Sequence, residues 1–517
     1  MKRRTFCKAA ALFAAGSLLP GTACAAQPTG VVGRAVADGY YPVSFRSIYS
    51  QKDLTHAFYY SESFFEHTAM EYDHLLALMT FGLANAAINS YQSEDAVWKE
   101  KDPRRTADIA QAFCQLGFAN TEYVGYDQSV NALTDADGCA LAQKTLQTNG
   151  VRRTIFAIML RPTYYGVEWA DNLHTGDGPG HAGFIAAADR IWEDIRKYLD
   201  AAGKKRDLGT IRVWLGGYSR GAAIANLLAA KIANAMPEIP KENIYAYTFA
   251  APAALTAADR PDLQQEYDNN HSPDGSLKPA WDSSNIFNLI SSGDIVPRVL
   301  PTAWGCRRNG NDRFLPATTL QSEQEALDAL KEELGGNLLQ SADLATAEQM
   351  DAVMAALLRA CPDQKTYHEK YEDAFRDMML CSMMRSEEEV LQGAVLDEEA
   401  VVARLRQLPN LRAMPWSKVA SCVLAASGMS NLVLERFGDA VPLRAKQLVV
   451  PVLAVGLCHE VEMDVLRMAA YYMIGLAGAR GRLDNVLRSV MCHFPENYIS
   501  LLEYYDPSEH GMEAYTR

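Results

Sequence analysis

Five consecutive residues, Gly217-Tyr218-Ser219-Arg220-Gly221, carry the pattern Gly-x-Ser-x-Gly. A serine hydroxyl is a weak nucleophile at its own pKa. The pattern marks chemistry only where the serine is raised on a sharp turn between a strand and a helix. The flanking sequence supplies that setting. Thr210 to Leu215 (TIRVWL) is a short apolar run with β-branched residues, and Gly221 to Ala235 repeats apolar residues at helical spacing. Gly217 and Gly221 are the small elbow residues that let strand and helix approach closely. Ser219 is therefore the candidate nucleophile. It needs a histidine base oriented by a carboxylate, and a turn of this kind places them in the chain order Ser, Asp, His. Asp294 follows the strand-like run IFNLI (Ile286 to Ile290), at the C-terminal end of a strand, where catalytic groups gather in open α/β sheets. Beyond it lie His368 and His459 in helical stretches, His493 at the head of HFPENYISLLEYY, and His510 in the tail. Spacing leaves the choice among these histidines open.

Four blocks of the sequence, GYSRGAAIANLLA, YAYTFAAPAA, NLISSGDIVPRVLP and the terminal HFPENYISLLEYY, resemble those of the class 3 lipase family. The resemblance covers roughly Phe58 to Pro301 and the last thirty residues. It implies an α/β-hydrolase fold, a mostly parallel sheet flanked by helices, acting on acylglycerols and related esters. It also implies a catalytic triad of Ser219, Asp294 and His493. His181-Ala182-Gly183-Phe184 resembles the family's His-x-Gly-Phe element, and Arg161-Pro162-Thr163 stands in the place of its Arg-Gly-Thr oxyanion loop. The implied oxyanion donors are the amide of Arg220 and the amide or hydroxyl of Thr163.

Some positions depart from the family pattern. Pro162 replaces a glycine beside the oxyanion hole, Tyr218 stands where histidine is common, and Ala222 where a further glycine is frequent. A larger departure is the long helical stretch between Asp294 and His493, a candidate lid or partner-binding module. The expected substrate is an ester or lipid, cleaved through an acyl-enzyme without metal or cofactor. Acyl transfer or amide hydrolysis would use the same triad, and a chain whose oxyanion loop is spoiled by Pro162 would be an idle surface-binding protein. A histidine base predicts activity that falls below about pH 6.

The elements that must position these groups follow an alternating pattern. Arg153 to Leu160 (RTIFAIML) reads as a strand buried on both faces, followed by a helix over Ala182 to Ala202 and strands at Ile244 to Phe249 and Ile286 to Ile290. Such alternation means an α/β sheet. Further upstream, the pattern predicts helices over Phe58 to Ser90, Arg105 to Leu116 and Asp135 to Gly150, with an edge strand at Thr121 to Asp127. After about Thr319 every segment is helical in period. The expected organisation is an export signal over 1–26, a hydrolase core over 27–318, a helical insertion over 319–480, and a return to the core over 481–517.

The chain as a whole has 517 residues and a net charge of −14, with no basic run beyond its first eight residues, which argues against a nucleic-acid partner. Lys2, Arg3, Arg4 and Lys8 precede an apolar stretch from Ala9 to Leu19 and small residues to Ala26, the layout of an export signal of twin-arginine type. Cleavage after Ala25 or Ala26 and an extracytoplasmic location are expected, and Cys24 only half resembles a lipoprotein site. No CxxC pair occurs, and one or two disulfides could form without a pairing readable from spacing. The apolar stretches Leu448 to Cys458 and Met468 to Ala477 are shorter than a membrane span of ~20 residues, and are expected to pack the insertion. The groups His174 with His181, and His459 with Glu460, Glu462 and Asp464, read as loop and surface residues rather than metal ligands.

Overall fold

The computed structural model describes residues 33–47, 53–88, 103–126, 137–148, 151–164, 166–178, 180–203, 210–256, 285–315, 345–384, 397–438, 441–476 and 485–504. The export segment, the first of the expected helices after Thr319 (321–336) and His510 lie outside the described residues. In chain order the core comprises β1 (Gly39–Arg46), β2 (Asp53–Tyr60), α1 (His74–Ala86), α2 (Ala107–Gln115), β3 (Ala119–Val124), β4 (Cys139–Thr148), β5 (Val151–Leu160), α3 (Gly166–Asp171) and α4 (Ala182–Gly203). It continues with β6 (Ile211–Tyr218), α5 (Arg220–Ala235), β7 (Ile244–Phe249), β8 (Leu255–Thr256), β9 (Ile286–Ser291), β10 (Cys306–Arg307) and β11 (Asn311–Leu315). Helices α6 (Ala347–Ala360), α7 (Gln364–Lys370), α8 (Glu372–Met383), α9 (Glu398–Leu405), α10 (Trp416–Leu434), α11 (Leu443–Cys458) and α12 (Met463–Leu476) follow, before α13 (Asn485–Met491) and α14 (Pro495–Tyr504) close the chain.

Seven strands form one sheet in the order β11-β9-β7-β6-β5-β4-β3. The pairs from β11 to β5 are parallel, and β4 and β3 are antiparallel. This is the mostly parallel, helix-flanked sheet of the α/β-hydrolase fold. The central strands β7 and β9 are buried at every position, as a sheet covered on two faces requires. Alternation along β6 serves two cores at once. Trp214 and Tyr218 face a layer built with α1, α14 and the β1–β2 ribbon, including Phe81 and Tyr498. Val213 and Leu215 face α4 and α5, where Ile191, Ile195 and Leu228 pack.

Two expectations are corrected. The segment from Phe58 to Ser90 is not one helix: Asp53–Tyr60 pairs antiparallel with Gly39–Arg46, and α1 starts only at His74, where the Asp73 side chain accepts from the Leu76 N–H at 2.9 Å. The run DLTHAFYY is rich in aromatic residues that suit a pleated surface. Likewise the expected helix over Asp135 to Gly150 is strand β4, paired with β5 from Cys139↔Leu160 to Thr148↔Val151. Gly150, expected to cap that helix, lies outside the described residues.

Helices α8 to α12 build a separate apolar core from residues such as Leu405, Val423, Leu453 and Leu466. Within it, Trp416–Phe437 is long and apolar enough to cross a membrane by length and composition, with a mean hydropathy of 1.3, longer than either apolar stretch noted in the sequence. Its Val419, Val423, Ala426 and Val433 are buried, while Trp416, Leu424 and Leu432 are exposed.

Candidate active site

The turn after β6 is built as the glycines predict. Ser219 has φ 58° and ψ −127°, a conformation that costs a non-glycine residue about 1–3 kcal/mol and is held by its surroundings. Helix α5 begins at the next residue, and the Ser219 N–H donates to the Phe249 carbonyl at 2.9 Å. A Cβ on Gly217 would sit 2.2 Å from the Gly221 carbonyl oxygen, and one on Gly221 would sit 2.5 Å from that of Leu160. Only glycine permits strand and helix to meet this closely.

Asp294 lies just past β9 and His493 just before α14. Separated by 199 positions in sequence, they meet at 2.8 Å, His493 Nδ1 to Asp294 Oδ2. His493 Nε2 lies 2.9 Å from Ser219 Oγ. The carboxylate fixes the proton on Nδ1 and leaves Nε2 free to accept from the serine hydroxyl. All three side chains are withdrawn from solvent, with exposures of 5% for Ser219, 1% for His493 and 0% for Asp294. Among the described histidines after Asp294, His493 is the one beside Ser219. His368 contacts Glu372 at 3.1 Å and His459 contacts Asp377 at 2.9 Å, within the helical region.

Side chains not singled out in the sequence hold this arrangement. Tyr498 donates its hydroxyl to Asp294 Oδ2 at 2.8 Å and accepts from the Ser291 N–H at 3.0 Å. Burial, then the nearby Asp294 charge, pushes its pKa well above the usual tyrosine range, so it stays a donor. The Val296 N–H donates to Asp294 Oδ1 at 2.9 Å. Tyr218 stacks its ring on the His493 imidazole, centroids 5.1 Å apart, and donates its hydroxyl to the His493 carbonyl. The tyrosine that departs from the family pattern thus contacts His493 directly. Tyr498 had one legible trace, an aromatic hydroxyl in the terminal block five residues after His493.

Thr163 and Arg220, the expected oxyanion donors, are tied together by side chains. Asn172 Nδ2 donates to Thr163 Oγ1 at 2.9 Å, and Asn172 Oδ1 accepts from Arg220 Nη1 at 3.0 Å. The Thr163 oxygen is thus occupied as an acceptor, which leaves its hydrogen to donate elsewhere. Arg220 also pairs with buried Asp137 at 2.6 Å, and Arg190 with the same carboxylate at 2.5 Å. Burial alone would raise the Asp137 pKa, but the two guanidiniums hold it below the usual range. Around Pro162 the loop is closed by Arg161 and Glu168, 2.5 Å apart, with the Tyr164 N–H donating to Glu168 at 2.8 Å. Asp137, Glu168 and Asn172 sit at no spacing that announces them.

His181 is a structural residue. Its Nδ1 accepts from the Phe184 N–H at 3.2 Å, its Nε2 donates to the Asn172 carbonyl at 3.1 Å, and burial pushes its pKa down to about 3. His174 pairs with Glu372 at 2.5 Å, Glu460 with Lys418 at 2.9 Å and Asp464 with Arg467 at 3.6 Å, so the acidic and histidine groups each find separate partners. Seven cysteines from Cys139 to Cys492 are outside any disulfide, and burial pushes the thiols of Cys306 and Cys361 up to about 11.

The sheet order and the strained strand-to-helix turn at Ser219 are those of the α/β-hydrolase fold. Within that class, residues 159–304 match the family model for lipase (class 3), so the resemblance seen in the sequence holds over the segment that carries Ser219 and Asp294. Solved structures similar to the chain include a triacylglycerol lipase whose catalytic centre is a serine protease triad, 15% identical over 47% of this chain and 79% of that one, with a TM-score of 0.32. Others are the Rhizomucor miehei lipase propeptide complex, 15% identical over 57% and 78% with a TM-score of 0.30, and lipase II from Rhizopus niveus, 13% identical over 47% and 82% with a TM-score of 0.28. No curated protein matches the chain.

Proposed function

We propose that the protein is an exported serine hydrolase that cleaves carboxylic esters, with a lipid-like substrate. The observation that carries this reading is the imidazole of His493, 2.9 Å from Ser219 Oγ on one side and 2.8 Å from Asp294 on the other, at a strained strand-to-helix turn. In the proposed reaction Ser219 Oγ attacks the ester carbonyl as His493 Nε2 takes its proton, and Asp294 stabilises the imidazolium. The amide of Arg220 and the amide or hydroxyl of Thr163 receive the oxyanion, each donor lowering the barrier by about 3–4 kcal/mol. Collapse of the tetrahedral species breaks the C–O bond, and His493 returns the proton to the leaving alkoxide. Water then enters, gives a proton to His493 and cleaves the acyl-enzyme, releasing the acid and restoring Ser219.

The test is covalent. A fluorophosphonate probe is expected to label the wild type and not Ser219→Ala, and p-nitrophenyl ester turnover to fall at least 1,000-fold in that variant. A wild type that neither labels nor turns over ester would defeat the reading. Export is tested separately: N-terminal sequencing of the chain recovered outside the cytoplasm is expected to begin after Ala25 or Ala26.

A further inference from the structure

The residue that precedes the nucleophile reaches the base. Tyr218 ends β6 and is fully buried. Its ring lies nearly parallel to the His493 imidazole, at 22° with centroids 5.1 Å apart, and its hydroxyl donates to the His493 carbonyl oxygen. One side chain therefore contacts both the ring and the backbone of a residue 275 positions away. Phe81 and Tyr498 meet the tyrosine ring edge to face, at 84° with centroids 5.6 Å apart and at 66° with centroids 6.1 Å apart. Packed in this way, the phenol cannot tilt without displacing buried neighbours.

His493 stands in the turn between α13 and α14, outside either helix, with its N–H donating to the Val490 carbonyl at 3.0 Å. Asp294 meets the imidazole at its edge, through Nδ1, and Tyr218 meets it at its face. These contacts act on different quantities. The carboxylate sets which nitrogen carries the proton. An aromatic face carries negative potential, and a cation within about 6 Å of the ring centroid is attracted to it, most strongly where water is excluded. Here the cation exists only in passing. The neutral imidazole gains little from the ring, whereas the imidazolium formed when Ser219 Oγ gives up its proton gains the whole attraction. An interaction that grows as the barrier is climbed raises kcat rather than tightening substrate. Histidine, common at this position in the family pattern, has no hydroxyl to offer the carbonyl, so the role of the tyrosine does not come with that pattern.

We propose that Tyr218 is a positioning residue for ester cleavage, which anchors His493 by its carbonyl and stabilises the imidazolium through the face of its ring. The proposal rests on the reading of Ser219, His493 and Asp294 as a triad and adds a determinant of its rate.

Two substitutions separate the anchor from the ring. Tyr218→Phe keeps the ring and removes the hydroxyl, and is expected to lower kcat on p-nitrophenyl butyrate about fivefold. Tyr218→Leu removes both and is expected to lower kcat about 30-fold or more, with KM within about twofold of the wild type in each variant. Placing mono-, di- and trifluorophenylalanine at this position then drains the ring face of negative potential at nearly constant size. Along that series kcat is expected to fall stepwise, by about fivefold in all relative to Tyr218→Phe. A role in packing alone would not follow the fluorine count. Because the ring is kept, the series also decides the matter should Tyr218→Leu fail to fold. A flat series, or a loss that appears in KM with kcat intact, overturns the proposal while a wild type that labels and turns over ester keeps the hydrolase reading. A wild type that does neither defeats that reading, and the proposal falls with it.

Discussion

Tyr498 makes the residue scale concrete. Its hydroxyl donates to the Asp294 oxygen that receives His493, and accepts from the Ser291 N–H. Replacing it with phenylalanine leaves a buried N–H unsatisfied and frees the carboxylate to rotate, a loss of about 1–3 kcal/mol. Because Tyr498 acts through Asp294, it is a positioning residue. Tyr498→Phe is expected to lower kcat about tenfold with KM unchanged, measured on a short-chain ester. A rise in KM with kcat intact would place its effect on substrate binding and count against this role.

At the scale of elements, the approach of α5 to the end of β5 fixes where the serine stands. A Cβ at Gly221 would lie 2.5 Å from the Leu160 carbonyl oxygen and 2.7 Å from that of Arg161, backbone atoms that cannot give way without moving the oxyanion loop. Gly221→Ala is expected to cost at least 100-fold in kcat/KM and to lower the unfolding temperature, through displacement of the turn rather than loss of any polar group. Gly428 in α10 provides the contrast. A Cβ there meets nothing within 4 Å. Gly428→Ala is expected to stabilise the chain by about 1 kcal/mol in urea unfolding, with activity unchanged, because alanine loses less backbone freedom in a helix.

Across the whole molecule, two buried groups couple folding to acidity. Burial holds His181 at about 3 against an ordinary 6.5, so the unfolded chain takes up that proton first. The stability it brings is complete above pH 6.5 and is lost as pH falls toward 3, by up to about 1.4 kcal/mol per pH unit. Burial alone would raise the Glu372 carboxyl, but the bonds it accepts from His174, Thr175 and His368 hold it at about 2 against an ordinary 4.5. Its contribution is present above pH 4.5 and lost on the way down to 2. His181→Gln is expected to flatten the decline between pH 6.5 and 4.5 in urea titrations, at a lower stability near neutrality. A slope identical to that of the wild type would show that His181 is not the group responsible. Since Glu372 also joins α8 to the loop at Thr175, Glu372→Ala is expected to loosen the helical region against the sheet, seen as faster amide exchange in α8.

The sequence by itself determined the strand-turn-helix around Ser219, because two glycines, a β-branched run and a helical repeat are local signals that agree with one another. It also determined the alternation of β5 to β9 and the position of Asp294 at a strand end. It misread Phe58 to Tyr60 and Cys139–Thr148 as helical, since the pairing that settles such ambiguous runs comes from partners across the ribbon and sheet. Among four histidines spacing could not choose, for an imidazole becomes a partner of Ser219 only through a chain path that closes 199 residues after Asp294. Tertiary structure alone decided that, and it alone brought Asp137, Asn172 and Tyr498 to their positions. Hydrogen bonds between distant segments depend on where the packed layers set the backbone, and no local pattern of residues encodes that distance.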